Sequence, residues 1–249
     1  MRILIVSDYE CDFTRVLKSC GAEVECVDFK KVLKTDLTVY DSFCVLPKKS
    51  GTYLDARLRE KLEEEARKGK RIFLQAIRGF LGILCEEPAD STKSRMIYIG
   101  NSEEIITGLF MGDLLDDEAN LMCVPELHPE DVEPILVYQE HIIAHTHTEM
   151  PVQEILKRGK PGLWKAGKNI LWAGFILRNF NEARFSPRAK WEAVIRYVAR
   201  WITGGEPAFY PTEIVHYGTS EKLDEPKIFE CCRRKAIERG IGWLERFLE

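Results

Sequence analysis

Lys70-Arg71-Ile72-Phe73-Leu74-Gln75-Ala76 runs directly into Ile77-Arg78-Gly79-Phe80-Leu81-Gly82. The first half reads as a buried strand, and the second as a glycine-bearing turn. In many α/β enzymes such a junction is a sharp elbow that lifts a Ser or Cys nucleophile above the sheet. Here the turn offers Ala76, Ile77 and Arg78, and none is a good nucleophile at neutral pH. The scaffold is legible while the usual chemistry is missing from it.

The flanking sequence supplies the rest of an α/β rhythm. Ile3-Leu4-Ile5-Val6 is a continuous apolar run, as expected of a central parallel strand. Phe13, Val16, Leu17 and Cys20 follow at helical spacing, with Gly21 where a helix stop belongs. Ala22 to Phe29 reads as a second strand and Phe43 to Leu46 as a third. Leu54, Leu58 and Leu62 mark one face of a charged helix ended by Gly69. The charges from Glu60 to Lys68 form its wet face. The pattern predicts an α/β fold: a doubly wound, mostly parallel sheet in three α/β/α layers.

Beyond it the pattern loosens. Met96–Ile99, Leu121–Val124 and Ile135–Tyr138 read as short strands, and Ile142 to Thr148 as an alternating edge strand. Asn169 to Ile176 reads as a strand returning to the main sheet. A helix stripe follows: Trp191, Val194, Ile195, Val198, Trp201 and Ile202. The expected division is one domain over 1–204, a Gly/Pro-bearing linker over 205–225 and a C-terminal helical extension over 226–249. That last helix carries Phe229, Cys232, Ala236, Trp243, Leu244 and Phe247 along one wide apolar face, which needs a partner surface.

Bulk properties narrow the function classes. The 249 residues are 45% hydrophobic and 31% charged, with a formal charge of -4, so no basic footprint for nucleic acid is present. No apolar run is long enough for a signal-peptide core or a membrane span, and a cytoplasmic protein is the expectation. The eight cysteines include no C-x-x-C pair and read as buried, reduced thiols. The first strand leads into Ser7-Asp8-Tyr9-Glu10, which lacks the glycines of a dinucleotide site and would repel phosphate. No cofactor is expected.

The strand pattern, the elbow at Arg71–Ala76 and the stretch Lys168–Phe175 before the Trp191–Trp201 helix carry a resemblance. They resemble the class I glutamine amidotransferase-like (flavodoxin-like) superfamily. The similarity is to its non-amidotransferase branch, which includes ThuA-like proteins and the middle, trimerisation domain of some β-galactosidases. Active members place Cys in the elbow and a His-x-Glu pair after the late strand. This sequence has Ala76 in the elbow and Leu177-Arg178-Asn179-Phe180-Asn181-Glu182 after the late strand, so glutaminase activity is not expected. Arg233 to Leu244 is similar to the opening helix of an (α/α)-toroid glycosidase domain. Together these resemblances imply a non-catalytic accessory domain in carbohydrate metabolism that acts through packing, homo-oligomer formation or ligand binding. A helical glycosidase domain would be the partner docked on the last helix.

Two other readings stay open. His145, His147 and Glu149 would share one face of a strand and could hold a metal, giving a metal-assisted small-molecule hydrolase. The alternative is a solvated polar face. The strand ends gather Asp8, Tyr9, Arg78, Arg178 and Asn181, with Lys48 and Lys49 nearby, which would suit a sugar or metabolite. The plainer account of Arg78 and Arg178 is local ion pairing. Trp164, between Gly and Lys residues, reads as an exposed stacking platform, while Trp172, Trp191 and Trp201 read as core.

Overall fold

The computed structural model describes residues 1–91, 94–100, 106–117, 121–126, 132–140, 159–177 and 188–208. The linker over 205–225 beyond residue 208, the helix over 226–249 and the edge strand at 142–148 lie outside the described residues.

The first half is built as the apolar runs dictate. β1 (Arg2–Ser7), β2 (Glu23–Val27), β3 (Ser42–Leu46) and β4 (Arg71–Gln75) pair in parallel, in the order β2-β1-β3-β4. α1 (Phe13–Ser19) and α2 (Ala56–Arg67) supply crossovers. Asp55 starts α2 by accepting the N–H groups of Arg57 (2.9 Å) and Leu58 (3.4 Å). Gly69, at φ 89°, ends it in a conformation that other residues resist. Leu54 is buried but precedes the helix to which its spacing assigns it.

β4 is flanked on its other side by β13 (Ile170–Ala173), again in parallel. From there the sheet turns antiparallel through β12 (Lys160–Ala166), β11 (Val132–Glu140), β8 (Ser94–Tyr98) and β9 (Leu114–Leu115), making nine strands among the described residues. β5 (Gly79–Phe80) and β6 (Ile83–Leu84) form a small hairpin after the elbow. β7 (Ala89–Asp90) pairs with β10 (Leu121–Met122), so the strand expected near Leu121 lies outside the main sheet.

Alternate residues of β1 feed opposite layers. Ile3 and Ile5 join Phe13, Val16 and Leu17 of α1 and Trp191, Val194 and Val198 of α3 (Arg188–Thr203). Leu4 and Val6 join Leu58 and Leu62 of α2 on the far face. Both faces of the sheet are covered, as a doubly wound fold requires.

β12 corrects one expectation. Trp164 is not an exposed platform: it is fully buried and stacks on Trp172, ring centroids 5.3 Å apart. Gly162 is there because the chains approach closely, since a β-carbon would sit 2.6 Å from the Met96 sulfur. The glycine that resembles loop composition is a packing device inside a strand.

Candidate functional site at the strand ends

The turn after β4 is a sharp elbow with no nucleophile at its tip. Ala76 has φ 45°, in the left-handed region, which costs a non-glycine residue about 1 kcal/mol. Two neighbours hold it there. Its N–H donates to the Ala173 carbonyl (2.7 Å), and its carbonyl accepts from Gly51 N–H (2.9 Å). Ile77 then bridges to Thr52, and Arg78 N–H donates to the Thr52 carbonyl (3.1 Å). At the tip of this turn stands only a buried methyl group.

Gln75, immediately before the elbow, ties three strand ends together. Its amide nitrogen donates to the Pro47 carbonyl (3.0 Å) and to the Tyr9 hydroxyl (3.3 Å). Its amide oxygen accepts from Leu177 N–H (2.8 Å). The visible signal in the sequence was a single polar residue ending an apolar run.

The order β2-β1-β3 makes β1 the place where the sheet changes direction of growth. In open α/β sheets, ligands bind outside the carboxyl ends of the strands at such a switch. An open cavity of about 540 Å³ lies here, lined by Asp8, Asp28, Lys30, Thr52, Tyr53 and Asp55 among others. Asp8 fixes the end of β1 by accepting Lys48 N–H (2.7 Å). Asp28 accepts from the N–H groups of Lys31 and Lys30, and those bonds, with the Lys31 ammonium, lower its pKa. Tyr53 is 63% exposed, and the Arg78 guanidinium lies over its ring at 4.8 Å. Arg78 is also anchored locally, through its Nε–H to the Cys85 carbonyl (3.3 Å) and an ion pair with Glu87.

Asp8 lines this crevice, whereas Arg78 is buried outside its lining and touches it only by lying over the Tyr53 ring. Tyr9 is placed differently: its hydroxyl donates to the Leu177 carbonyl (2.5 Å) and its ring packs on the core layer that holds α1 and α3. Arg178 and Asn181 lie outside the described residues, as do His145, His147 and Glu149. Among the described residues no three potential metal ligands cluster.

Behind the elbow sits a pair of thiols. The Cys123 thiol donates to the Ile77 carbonyl (3.7 Å), and Cys85 lies nearby on the segment that pairs with Pro125. The neighbouring Cys123 thiol and burial push Cys85 up, while Cys85 and the Arg78 guanidinium draw Cys123 down against its own burial. Cys11 behaves as an isolated buried thiol, pushed up to about 12 by burial.

A comparison with protein-family models gives no match, and one with curated protein sequences gives none either. Solved structures do match. A protein described as ThuA-like, from Bacteroides uniformis, superposes with a TM-score of 0.52 at 12% identity, over 85% of this chain and 94% of that one. Another, described as a GMP synthase subunit and taken from Thermoplasma acidophilum, gives 0.50 at 12% identity, over 82% and 94%. The chain shares the fold of these proteins, a mostly parallel sheet covered by helices. A third match, described as the carbohydrate deacetylase Agd3, gives 0.50 at 12% identity over 81% of this chain and 32% of that one. In this fold the turn after β4 presents Ala76.

Proposed function

We propose that this chain is a non-catalytic, amidotransferase-like domain that serves carbohydrate metabolism by binding a polyhydroxylated ligand at the β1–β3 crevice. The observation that carries the reading is Ala76. A strained elbow is retained, yet the side chain it presents is a methyl group. The crevice supports the ligand class. An exposed tyrosine ring offers a face for an apolar sugar surface, and the carboxylates of Asp8, Asp28 and Asp55 accept hydrogen bonds from hydroxyls. The fold neighbours described as ThuA-like and as a carbohydrate deacetylase lean the same way by analogy.

The test is calorimetric titration of the purified chain with neutral mono- and disaccharides, beside an assay of glutamine hydrolysis. Saturable sugar binding weakened roughly tenfold or more by Tyr53→Ala, with no glutamine turnover, is the expected result. Glutamine turnover would overturn the non-catalytic reading. Sugar binding that Tyr53→Ala and Asp8→Asn leave unchanged would overturn the assignment of the crevice.

A further inference from the structure

We infer that Arg196 and Arg200 form a binding site for the phosphate of a small phosphomonoester, a site that the chain's own Glu206 carboxylate fills in this structure. Both arginines stand on α3, four residues apart, so their side chains lie on one face of the helix. An open cavity of about 440 Å³ adjoins that face, lined by Thr107, Gly108, Ala193, Arg196, Tyr197 and Arg200 among others. It shares no lining residue with the β1–β3 crevice.

Glu206 shows what the two guanidinium groups hold. Its Oε1 lies 3.1 Å from Arg200 Nη1, and its Oε2 lies 3.6 Å from Arg196 Nη2. An anion with two oxygens therefore already bridges the pair. A phosphomonoester offers three terminal oxygens and most of a second negative charge. Guanidinium groups match such oxygens in a forked geometry, so phosphate is the stronger occupant.

The chain delivers Glu206 through a fixed turn. Gly204 ends α3 at φ 72°, with its N–H donating to the Arg200 carbonyl (2.7 Å). Gly205 N–H donates to the Thr203 hydroxyl (3.0 Å), which itself donates to the Ala199 carbonyl (2.8 Å). A β-carbon on Gly205 would sit 3.0 Å from the Cys20 carbonyl oxygen, so only glycine passes there without displacement. The backbone is thus pinned, while the Glu206 carboxylate has no partner among the described residues except the two arginines. The Glu206 side chain is 54% exposed, and water screens such pairs until they are weak. A ligand of higher charge displaces this carboxylate by a side-chain rotation and disturbs no packing.

The remaining lining selects the ligand. With Glu206 withdrawn, two guanidinium groups face one lining carboxylate, that of Glu192, and the cavity favours an anion. Ala193 and the buried Tyr197 give an apolar surface for the body of the ester, and the exposed Thr107 supplies a hydroxyl. The volume is that of a small-molecule site.

The experiment is calorimetric titration of the full chain with inorganic phosphate and with phenyl phosphate, at low ionic strength, beside Glu206→Gln and Arg200→Gln. Glu206→Gln removes the internal competitor, so it should bind inorganic phosphate roughly tenfold more tightly than wild type. Arg200→Gln should weaken binding by about tenfold or more. Phenyl phosphate should bind more tightly than inorganic phosphate, and Tyr53→Ala in the crevice should leave both affinities unchanged. Equal phosphate affinity in wild type and Glu206→Gln overturns the proposal, as does a lack of saturable phosphate binding in Glu206→Gln. Binding that Arg200→Gln leaves unchanged overturns it too, and phenyl phosphate binding no tighter than phosphate overturns the ester assignment. The comparison of wild type with Glu206→Gln decides even where Arg200→Gln fails to fold, because residue 206 is exposed and packs against nothing that the substitution removes.

Discussion

The Gln75 side-chain oxygen accepts the backbone N–H of Leu177 at 2.8 Å, joining the end of β4 to the chain leaving β13 across 102 residues of sequence. The same carboxamide reaches Pro47 and Tyr9, so one buried side chain fastens the ends of three strands. Gln75→Leu keeps the volume but strands the Leu177 N–H and two acceptors in a dry site. A buried unsatisfied group costs about 1–3 kcal/mol, so the loss should be about 3 kcal/mol, read as a lower urea midpoint at unchanged slope.

Leu81 and Gly82 form the two-residue turn of the β5–β6 hairpin, with φ values of 49° and 80°. Both positions are left-handed, which suits Asn-Gly and not Leu-Gly. Leu81 is 37% exposed, and its backbone N–H, which donates to Glu63, survives substitution. Leu81→Asn should stabilise the fold by about 0.5–1 kcal/mol, raising Tm by about 2 °C in a thermal melt.

Trp164 is sandwiched into the core against Trp172, which meets Phe80 edge-on at 6.4 Å. Trp164→Ala should destabilise by about 3–5 kcal/mol, and Trp164→Phe by clearly less because the ring stack persists. Denaturant titration of the two variants separates this packing role from one in ligand contact, where binding would change and stability would not.

Glu65 is buried on α2, and desolvation alone would raise its pKa. Hydrogen bonds and charge from Lys68 and Lys70 outweigh that and lower it. A depressed folded-state value means the stabilisation is complete above the unfolded carboxyl value of about 4.3 and is lost as pH falls through the folded one. Glu65→Gln should therefore cost stability at pH 7, with the gap to wild type narrowing below about pH 4. Urea unfolding at the two pH values checks the sign.

Ala76→Cys places a thiol at the left-handed tip of the elbow. The chain after the late strand, Leu177-Arg178-Asn179-Phe180-Asn181-Glu182, offers no imidazole in the His-x-Glu position. The variant should show no glutamine turnover, and ammonia release from glutamine would contradict this.

Signals that depend on local spacing were readable from the sequence. Ile3–Val6, the Leu58/Leu62 face and the Trp191–Ile202 stripe each declare their burial through period alone, and each is where the pattern put it except Trp201, read as core and only partly buried. Pro161 and Gly162 hid β12, because turn-forming residues in a strand are explained only by the neighbour they accommodate, here Met96. The location of the elbow was legible, but its handedness at Ala76 was not, since alanine rarely adopts it. Cys85 meets Pro125 through tertiary pairing that no spacing motif encodes. The same holds for Gln75, whose polarity was visible and whose partners were not.

β13 is inserted between β4 and β12, although about 95 residues separate it from β4 along the chain. During synthesis the hydrogen-bonding edge of β4, bearing Ile72, Phe73 and Leu74, must therefore wait while more than a third of the polypeptide is still being made. An apolar edge left open for that long is a template for pairing with another nascent chain. Maturation of this protein should accordingly depend on a holding chaperone, and a release before Ala173 has left the ribosome should yield aggregates and no stable half-domain.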